Sequence, residues 1–126
     1  MSSAFGDART IPASEDAKKL MKQLATRDIF SEQRDVWRLG AALGIAEGQV
    51  YDKGARSTFQ NINSLDDEGL FAAAMLGRYP DLQPDERLKK LVDHAEWGIR
   101  EIHRKISNST MDWAALAASS PNRTKC

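Results

Sequence analysis

Cysteine is almost missing from this chain of 126 residues, because Cys126 is the only one. A single thiol cannot form a disulfide within the chain, and disulfides are typical of oxidising compartments. Long apolar runs are missing too: the uncharged stretch 39–46 is far shorter than the roughly 20 residues of a membrane-spanning helix. The first residues carry neither the basic nor the apolar region of a signal peptide. We therefore expect a cytoplasmic protein without membrane attachment.

An excess of charge of one sign is also lacking, since 18 Lys and Arg residues balance 18 Asp and Glu residues. Bulk electrostatics alone cannot hold such a chain to nucleic acid, so a contact of that kind needs a local basic face. The composition, with 41% hydrophobic and 29% charged residues, is that of a globular protein rather than a disordered one.

Patterns that carry catalysis are absent from the sequence. There is no Gly-x-Ser-x-Gly motif, no phosphate-binding loop and no His-centred catalytic arrangement. His94 and His103 are nine residues apart on one predicted helix, so they point in nearly opposite directions and cannot share a metal ion; we expect both at the surface or its boundary. The acidic run 66–68 is explained by capping of a helix. We expect no enzyme, no metal site and no cofactor.

Helical periodicity is what the sequence does contain. Ser14 predicts the N-cap of a first helix with one apolar stripe. A second helix is expected to begin after the N-cap Ser31 and to end at Gly48. Its Gly40 and Gly44 each cost about 0.5–1 kcal/mol relative to alanine, so we expect another backbone to approach closely there. The stripe of the first helix is formed by Ala17, Leu20, Met21 and Leu24.

The second half of the chain predicts further helices. Segment 49–63 is expected to be a loop or a short extended segment, and a capping-box-like start at Ser64 predicts a third helix ending at Gly77. Pro84 suits the first position of a fourth helix of about 24 residues, long enough to span the domain. A last short helix is expected over Thr110–Ala118. The apolar stripe of the fourth helix is formed by Leu88, Leu91, Val92, Ala95, Ile99, Ile102 and Ile106.

The predicted fold is therefore all-α or nearly so, a compact bundle of four to five helices. Residues 1–13 are expected to form an N-terminal arm or short strand, residues 14–118 a single helical domain and residues 119–126 a flexible tail. A strand over Asp7–Pro12 followed by two helices would have the order of a ribbon-helix-helix module, in which two chains pair their strands into a ribbon. Pro12 counts against this strand because it lacks a ladder donor.

Basic residues are the candidates for a binding function. Lys18 and Lys22 are one helical turn apart, and so are Arg34 and Arg38. Such local cationic faces can neutralise phosphates, although interleaved acidic residues are equally typical of an ordinary solvated surface. The candidate nucleic-acid-binding residues are Arg9, Lys18, Lys19, Lys22, Arg34 and Arg38.

Trp97 lies beside the apolar stripe of the fourth predicted helix. A tryptophan at such a margin is either a flank of the core or the anchor of a subunit interface. The residues leave both interpretations open.

Segment 29–44 resembles a family of small Dnd-system-associated proteins. Members carry a phenylalanine, a short polar link, Arg-Asp-Val-Phe and an Ala-Ala-Leu-Gly run. The corresponding residues here are Phe30, Arg34–Val36 followed by Trp37 in place of the phenylalanine, and Ala41–Gly44. Segment Ala95–Ile102 is similar to the closing helix of that family. Ser14–Lys18 also resembles the start of the DndE family, the small subunits of the DNA phosphorothioation machinery.

The resemblance implies a non-catalytic, mostly helical protein that self-associates as a dimer or tetramer. It would act in a bacterial or archaeal DNA modification or restriction system, part of antiviral defence, with DNA as its partner and Lys18, Lys19 and Lys22 facing the DNA. Two alternatives remain open. One is an adaptor that docks a larger defence-system enzyme through the long helix and Trp97, and the other is a ribbon-helix-helix transcriptional repressor.

Overall fold

The computed structural model describes residues 4–27 and 29–108 of the chain. These residues confirm the predicted helix-rich fold, with five helices and one short antiparallel sheet. The expected helix over Thr110–Ala118 and the tail 119–126 lie outside the described residues. The elements in chain order are β1 (Thr10–Ser14), α1 (Glu15–Ala25), α2 (Gln33–Glu47), β2 (Arg56–Asn61), α3 (Ile62–Leu65), α4 (Leu70–Arg78) and α5 (Pro84–Asn108).

The structure confirms the predicted N-cap of α1 and corrects the predicted N-cap of α2. Ser14 is the N-cap of α1, and its hydroxyl accepts a hydrogen bond from the Ala17 amide at 3.0 Å. The prediction that Ser31 caps α2 is wrong, because Glu32 occupies that position. The Glu32 amide donates to the Asp35 carboxylate at 3.0 Å, and the Glu32 side chain accepts from the amide of Asp35. This reciprocal pair satisfies two free amides.

The single helix predicted over 64–77 is instead two helices, α3 and α4, with a turn between them. The turn contains Gly69 at φ +72°, in the left-handed region. This conformation lets the Asp66 carboxylate accept hydrogen bonds from the amides of Phe71 and Ala72, both at 2.9 Å. Asp66 therefore caps α4, whereas the sequence placed it inside the first turn of a helix that began at Ser64.

The predicted N-terminal strand exists, but its partner is in the same chain. β1 pairs antiparallel with β2, from Thr10 opposite Asn61 to Ser14 opposite Arg56. The register shifts between Ile11 and Pro12, an irregularity that tolerates the missing amide of proline. The ribbon-helix-helix prediction required this strand to pair with a second chain. Here its partner is β2 of the same chain, which lies in the segment expected to be a loop or a short extended segment.

The core lies between β1, α1, α2 and α5, with Trp37 and Met75 among its buried side chains. Residues of the expected N-terminal arm belong to it, since Ala4, Phe5 and Ile11 are buried. The predicted apolar stripes of α1 and α5 face this core. Their fully buried members are Ala17, Met21, Leu24, Leu91, Val92, Ala95, Ile99 and Ile102.

Two crossing points bring α2 and α5 into backbone contact. Gly40 lies against Gly98, and Gly44 lies against the backbone of His94, so the two helices run in opposite directions. A β-carbon added at Gly44 or Gly98 would overlap backbone atoms of the opposite helix. The close approach predicted from the glycines of the second helix is therefore confirmed.

His94 is completely buried, so its expected place at the surface or boundary is wrong. Its Nδ1 lies 2.7 Å from the Gln49 carbonyl oxygen and its Nε2 lies 2.7 Å from the Tyr79 hydroxyl. Because a carbonyl can only accept, Nδ1 carries the proton and Nε2 accepts from the tyrosine. Burial lowers the pKa of His94, against an opposing effect of its hydrogen bond to Gln49. His103 is half-buried and its Nε2 lies 3.0 Å from the Gln23 amide oxygen.

Two carboxylates on α5 are also buried, and each has a cationic partner. Glu96 accepts hydrogen bonds from the Ser14 amide at 2.9 Å, the Ser14 hydroxyl at 2.7 Å and Arg100 Nη1 at 2.8 Å. Asp93 Oδ1 lies 2.8 Å from Arg56 Nη1. These groups tie both strands to α5, because Ser14 ends β1 and Arg56 begins β2.

Candidate nucleic-acid interface

An open groove of about 700 Å³ lies between α1, the start of α2 and β2. We call it the α1/β2 groove. Two of the six basic residues predicted to bind nucleic acid, Lys18 and Arg34, line it from opposite sides. Most of the other lining side chains are neutral hydrogen-bonding groups. The full lining is Lys18, Ala25, Ser31, Glu32, Gln33, Arg34, Thr58, Phe59 and Gln60.

Lys18 is held in place on the α1 side of the groove. Its Nζ donates a hydrogen bond to the Ser57 hydroxyl at 2.6 Å and lies 3.6 Å from a carboxylate oxygen of Glu15. An ammonium group has three donors, and the Lys18 side chain is 24% exposed. Since Glu15 is largely exposed, this ion pair is weak.

Lys22 is not one of the lining residues, but its spacing places it on the face of α1 that borders the groove. It is four residues after Lys18 and three before Ala25, which both line the groove, and residues at those spacings share one face of a helix. The Lys22 side chain is exposed, and no hydrogen bond or ion pair holds it within residues 4–27 and 29–108. It is therefore available to an anionic ligand without breaking a contact.

The opposite wall is the first turn of α2. Arg34 Nε contacts a carboxylate oxygen of Glu32, and both side chains are about half exposed. The amides of a first turn carry the positive end of the helix dipole, and Glu32 and Asp35 offset part of that charge here. The charged residues that line the groove are two cations, Lys18 and Arg34, and one carboxylate, Glu32.

The other three predicted basic residues are not brought to the groove. Lys19 is exposed on the outer side of α1. Arg9 lines a smaller depression of about 360 Å³ at the other end of the sheet, with Asn61 among its neighbours. Arg38 donates from Nε to the Leu65 carbonyl at 3.0 Å and from Nη2 to the Ser64 carbonyl at 2.5 Å, so its guanidinium is occupied at the end of α3.

Ser57, Thr58 and Gln60 are functional candidates that the sequence interpretation missed. They belong to β2, in a segment where the spacing of apolar residues indicated only a loop or an extended segment. Their place beside α1 follows from the pairing of β2 with β1. Thr58 and Phe59 are residue types that favour strands, a local signal that gave no information about the partner.

Trp97, the predicted interface residue, is half-buried. The large apolar side chains that the described part of the chain exposes are elsewhere, and the most exposed is Leu70, at 67%. Within the described residues, Trp97 is not among the partly buried side chains that pack against the core, and its role at an interface stays a prediction.

Among residues 4–27 and 29–108, no three His, Cys, Asp or Glu side chains come together in a way that could hold a metal ion. The acidic run 66–68 lies at the start of α4, where Asp66 has the capping role described above. No helix in these same ranges has the length and apolar character needed to cross a membrane.

Comparison with known proteins found no matching family model, no matching curated protein and no matching solved structure.

Proposed function

We propose that this protein is a non-catalytic DNA-binding accessory protein of a bacterial or archaeal DNA modification or restriction system of the phosphorothioation type. The observation that carries DNA binding is the arrangement of Lys18, Lys22 and Arg34 around one groove. Proteins bind the phosphate backbone with lysine, arginine and neutral hydrogen-bonding side chains. The assignment to a DNA modification system rests on the resemblance of segment 29–44.

Each cation has a distinct part in this proposal. Lys22 contacts a phosphate at the rim without losing another partner. Lys18 keeps its hydrogen bond to Ser57 and offers a remaining donor, so the ammonium group is already positioned. Arg34 must exchange Glu32 for a phosphate, and the bidentate geometry of guanidinium with phosphate favours that exchange.

Contacts of this kind position a protein on DNA but carry no direct sequence information. We therefore expect the groove to bind duplexes of different sequence with similar affinity. A cytoplasmic location stays a prediction that accompanies this function. Self-association, which the resemblance implies, does not depend on DNA binding by the groove.

The test is a titration of a fluorescently labelled duplex at several salt concentrations. Each neutralised phosphate contributes about 0.9 to the slope of log affinity against log salt, so three contacts predict a slope of about 2.7 in magnitude. Lys22→Ala should lower that slope by about 0.9. Lys53→Ala is the matched control, since Lys53 is an exposed lysine that lies neither on α1 nor in the lining of the groove.

Two results would contradict the proposal: no binding at low salt, or an affinity that the triple variant Lys18→Ala/Lys22→Ala/Arg34→Ala leaves unchanged. The adaptor alternative makes a different prediction, namely no DNA affinity and loss of a protein partner on Trp97→Ala.

A further inference from the structure

Two helices expose apolar side chains on one side of the molecule. Residues 39–46 of α2 and 70–77 of α4 contain no charged residue. Except for Leu76, their exposed positions recur at helical spacing and form one surface, which we call the α2/α4 face. Leu39 is 48% exposed and Leu70 is 67% exposed. The exposed members of the face are Leu39, Ala42, Ala46, Leu70, Ala73, Ala74 and Gly77.

The α2/α4 face has both a protrusion and a hollow. Between the helices is an apolar groove of about 360 Å³ whose lining includes Ala42, Ile45, Ala46 and Ala74. Leu70 lies at the edge of this groove and leaves most of its side chain exposed. A surface with a large side chain beside a hollow of small ones can pack against a copy of itself, as a two-fold interface demands.

Charge at the two ends of α4 selects the orientation of such a copy. α2 and α4 run in the same direction, since Trp37 contacts Phe71 near their starts, with ring centroids 5.5 Å apart, and Gly48 lies beside Arg78 at their ends. Two exposed carboxylates, Asp67 and Glu68, precede α4, whereas the exposed Arg78 ends it.

An antiparallel arrangement of two copies places these opposite charges together. The acidic start of one α4 then faces Arg78 of the partner subunit, and the uncharged stretch of 70–77 lies between the two pairs. A parallel arrangement would instead place like charges side by side, which is unfavourable. The charge pattern is therefore complementary to itself in one orientation.

We propose that the α2/α4 face is the interface of a homodimer in which α4 packs antiparallel to α4 of the second copy. Burial of the apolar side chains drives association, and the terminal charges set its direction. This inference is independent of the DNA-binding proposal, because the α1/β2 groove shares no lining residue with the face.

The first test is sedimentation equilibrium of the full chain over a range of concentrations. The wild type should be a dimer and Ala74→Glu a monomer, because the substitution places a carboxylate among the apolar side chains in the middle of α4. Ala74 is exposed in the single chain, so the variant should keep its fold by circular dichroism. Val50→Glu is the matched control: Val50 is an exposed apolar residue outside the face, and this variant should remain a dimer.

The second test uses the charges. The variant Asp67→Lys/Glu68→Lys and the variant Arg78→Glu should each dimerise more weakly than wild type, because each brings like charges together. An equimolar mixture of the two should recover wild-type association, since both terminal contacts are then between opposite charges.

Three results would overturn the proposal. A monomeric wild type at every concentration would mean that no second copy covers the face. An Ala74→Glu dimer as stable as wild type would place the interface elsewhere, for example at Trp97. A mixture of the charge variants that is no more dimeric than either variant alone would contradict the antiparallel orientation.

Discussion

Gly98 of α5 lies directly on the carbonyl group of Gly40 in α2, with no room for a β-carbon between the two backbones. This contact sets the separation of the helices that form most of the core. A glycine inside a helix costs about 0.5–1 kcal/mol relative to alanine, and here close packing on both helices offsets that cost.

Gly98→Ala should therefore destabilise the protein, even though alanine is the better helix former. The added methyl group would overlap the Gly40 backbone, and overpacking of this kind costs about 1–3 kcal/mol or more. Denaturant unfolding of the variant measures the loss. Gly77→Ala is the control, since its β-carbon would meet no atom of the chain within 4 Å, and it should not lower the free energy of unfolding. Equal stability of the Gly98 variant and wild type would show that the helices can separate at no cost.

Stability should decrease as the pH falls below 6.5. Burial lowers the pKa of His94 from its ordinary value of 6.5, so between that value and the folded pKa the unfolded chain binds more protons than the folded one. The stabilisation is therefore complete above pH 6.5 and is lost as the pH falls towards the folded pKa. Unfolding in urea at a series of pH values measures this slope.

Two histidine variants separate this effect from general acid sensitivity. His94→Gln should flatten the slope over this range, whereas His103→Gln, at a half-buried position, should retain it. A slope unchanged by His94→Gln would mean that other groups cause the loss.

Glu96→Ala should be among the most damaging polar substitutions. The change leaves the Ser14 amide and the Arg100 guanidinium without their buried acceptor, and removing one partner of a buried ion pair costs about 3–5 kcal/mol. Arg100 is 22% exposed, and the water that reaches it brings the expected cost to about 3 kcal/mol. Thermal or chemical unfolding checks the value. The control Glu101→Ala removes a carboxylate one residue further along, and it should change stability little because its partners Arg104 and Lys105 are largely exposed.

Arg38→Ala and Lys22→Ala should differ in opposite ways in stability and in the salt dependence of DNA binding. Arg38→Ala removes two hydrogen bonds from a charged donor to the end of α3, each worth about 1.5–3 kcal/mol when buried and less at this half-exposed side chain. It should lower stability and leave the salt slope of DNA binding unchanged. Lys22→Ala should lower the slope and leave stability unchanged. Parallel unfolding and DNA titrations of the two variants test this, and a slope lowered equally by both would return Arg38 to the DNA-binding set.

Local features of this protein followed from its sequence wherever one short segment contained the whole cause. Ser14 next to acidic residues was sufficient to place the start of α1, and Gly48 and Pro84 placed the end of α2 and the start of α5. Each effect acts within a few residues through backbone conformation or a free amide. The apolar stripe of α5 could also be predicted, because a helix buries its apolar face whichever element packs against it.

The failures near Ser31 and Ser64 have a common physical reason. Several neighbouring side chains could cap each helix, and the choice depended on the path of the chain before the helix. Glu32 was favoured by its reciprocal bond with Asp35, and Asp66 by the left-handed turn at Gly69. Such competition is decided by small energy differences that periodicity does not show.

By itself, the sequence determined the helical class of the protein, the apolar faces of its long helices and the two glycines at which another backbone must approach. Tertiary structure alone decided that β1 pairs with a strand more than 40 residues away, that Lys18 and Arg34 share a groove while Arg38 supports α3, and that His94 and Glu96 are buried. The physical reason is the separation along the chain over which each interaction acts. Helical periodicity and capping act between neighbours, whereas strand pairing, the burial of a charged group and the convergence of cations depend on which distant segments meet.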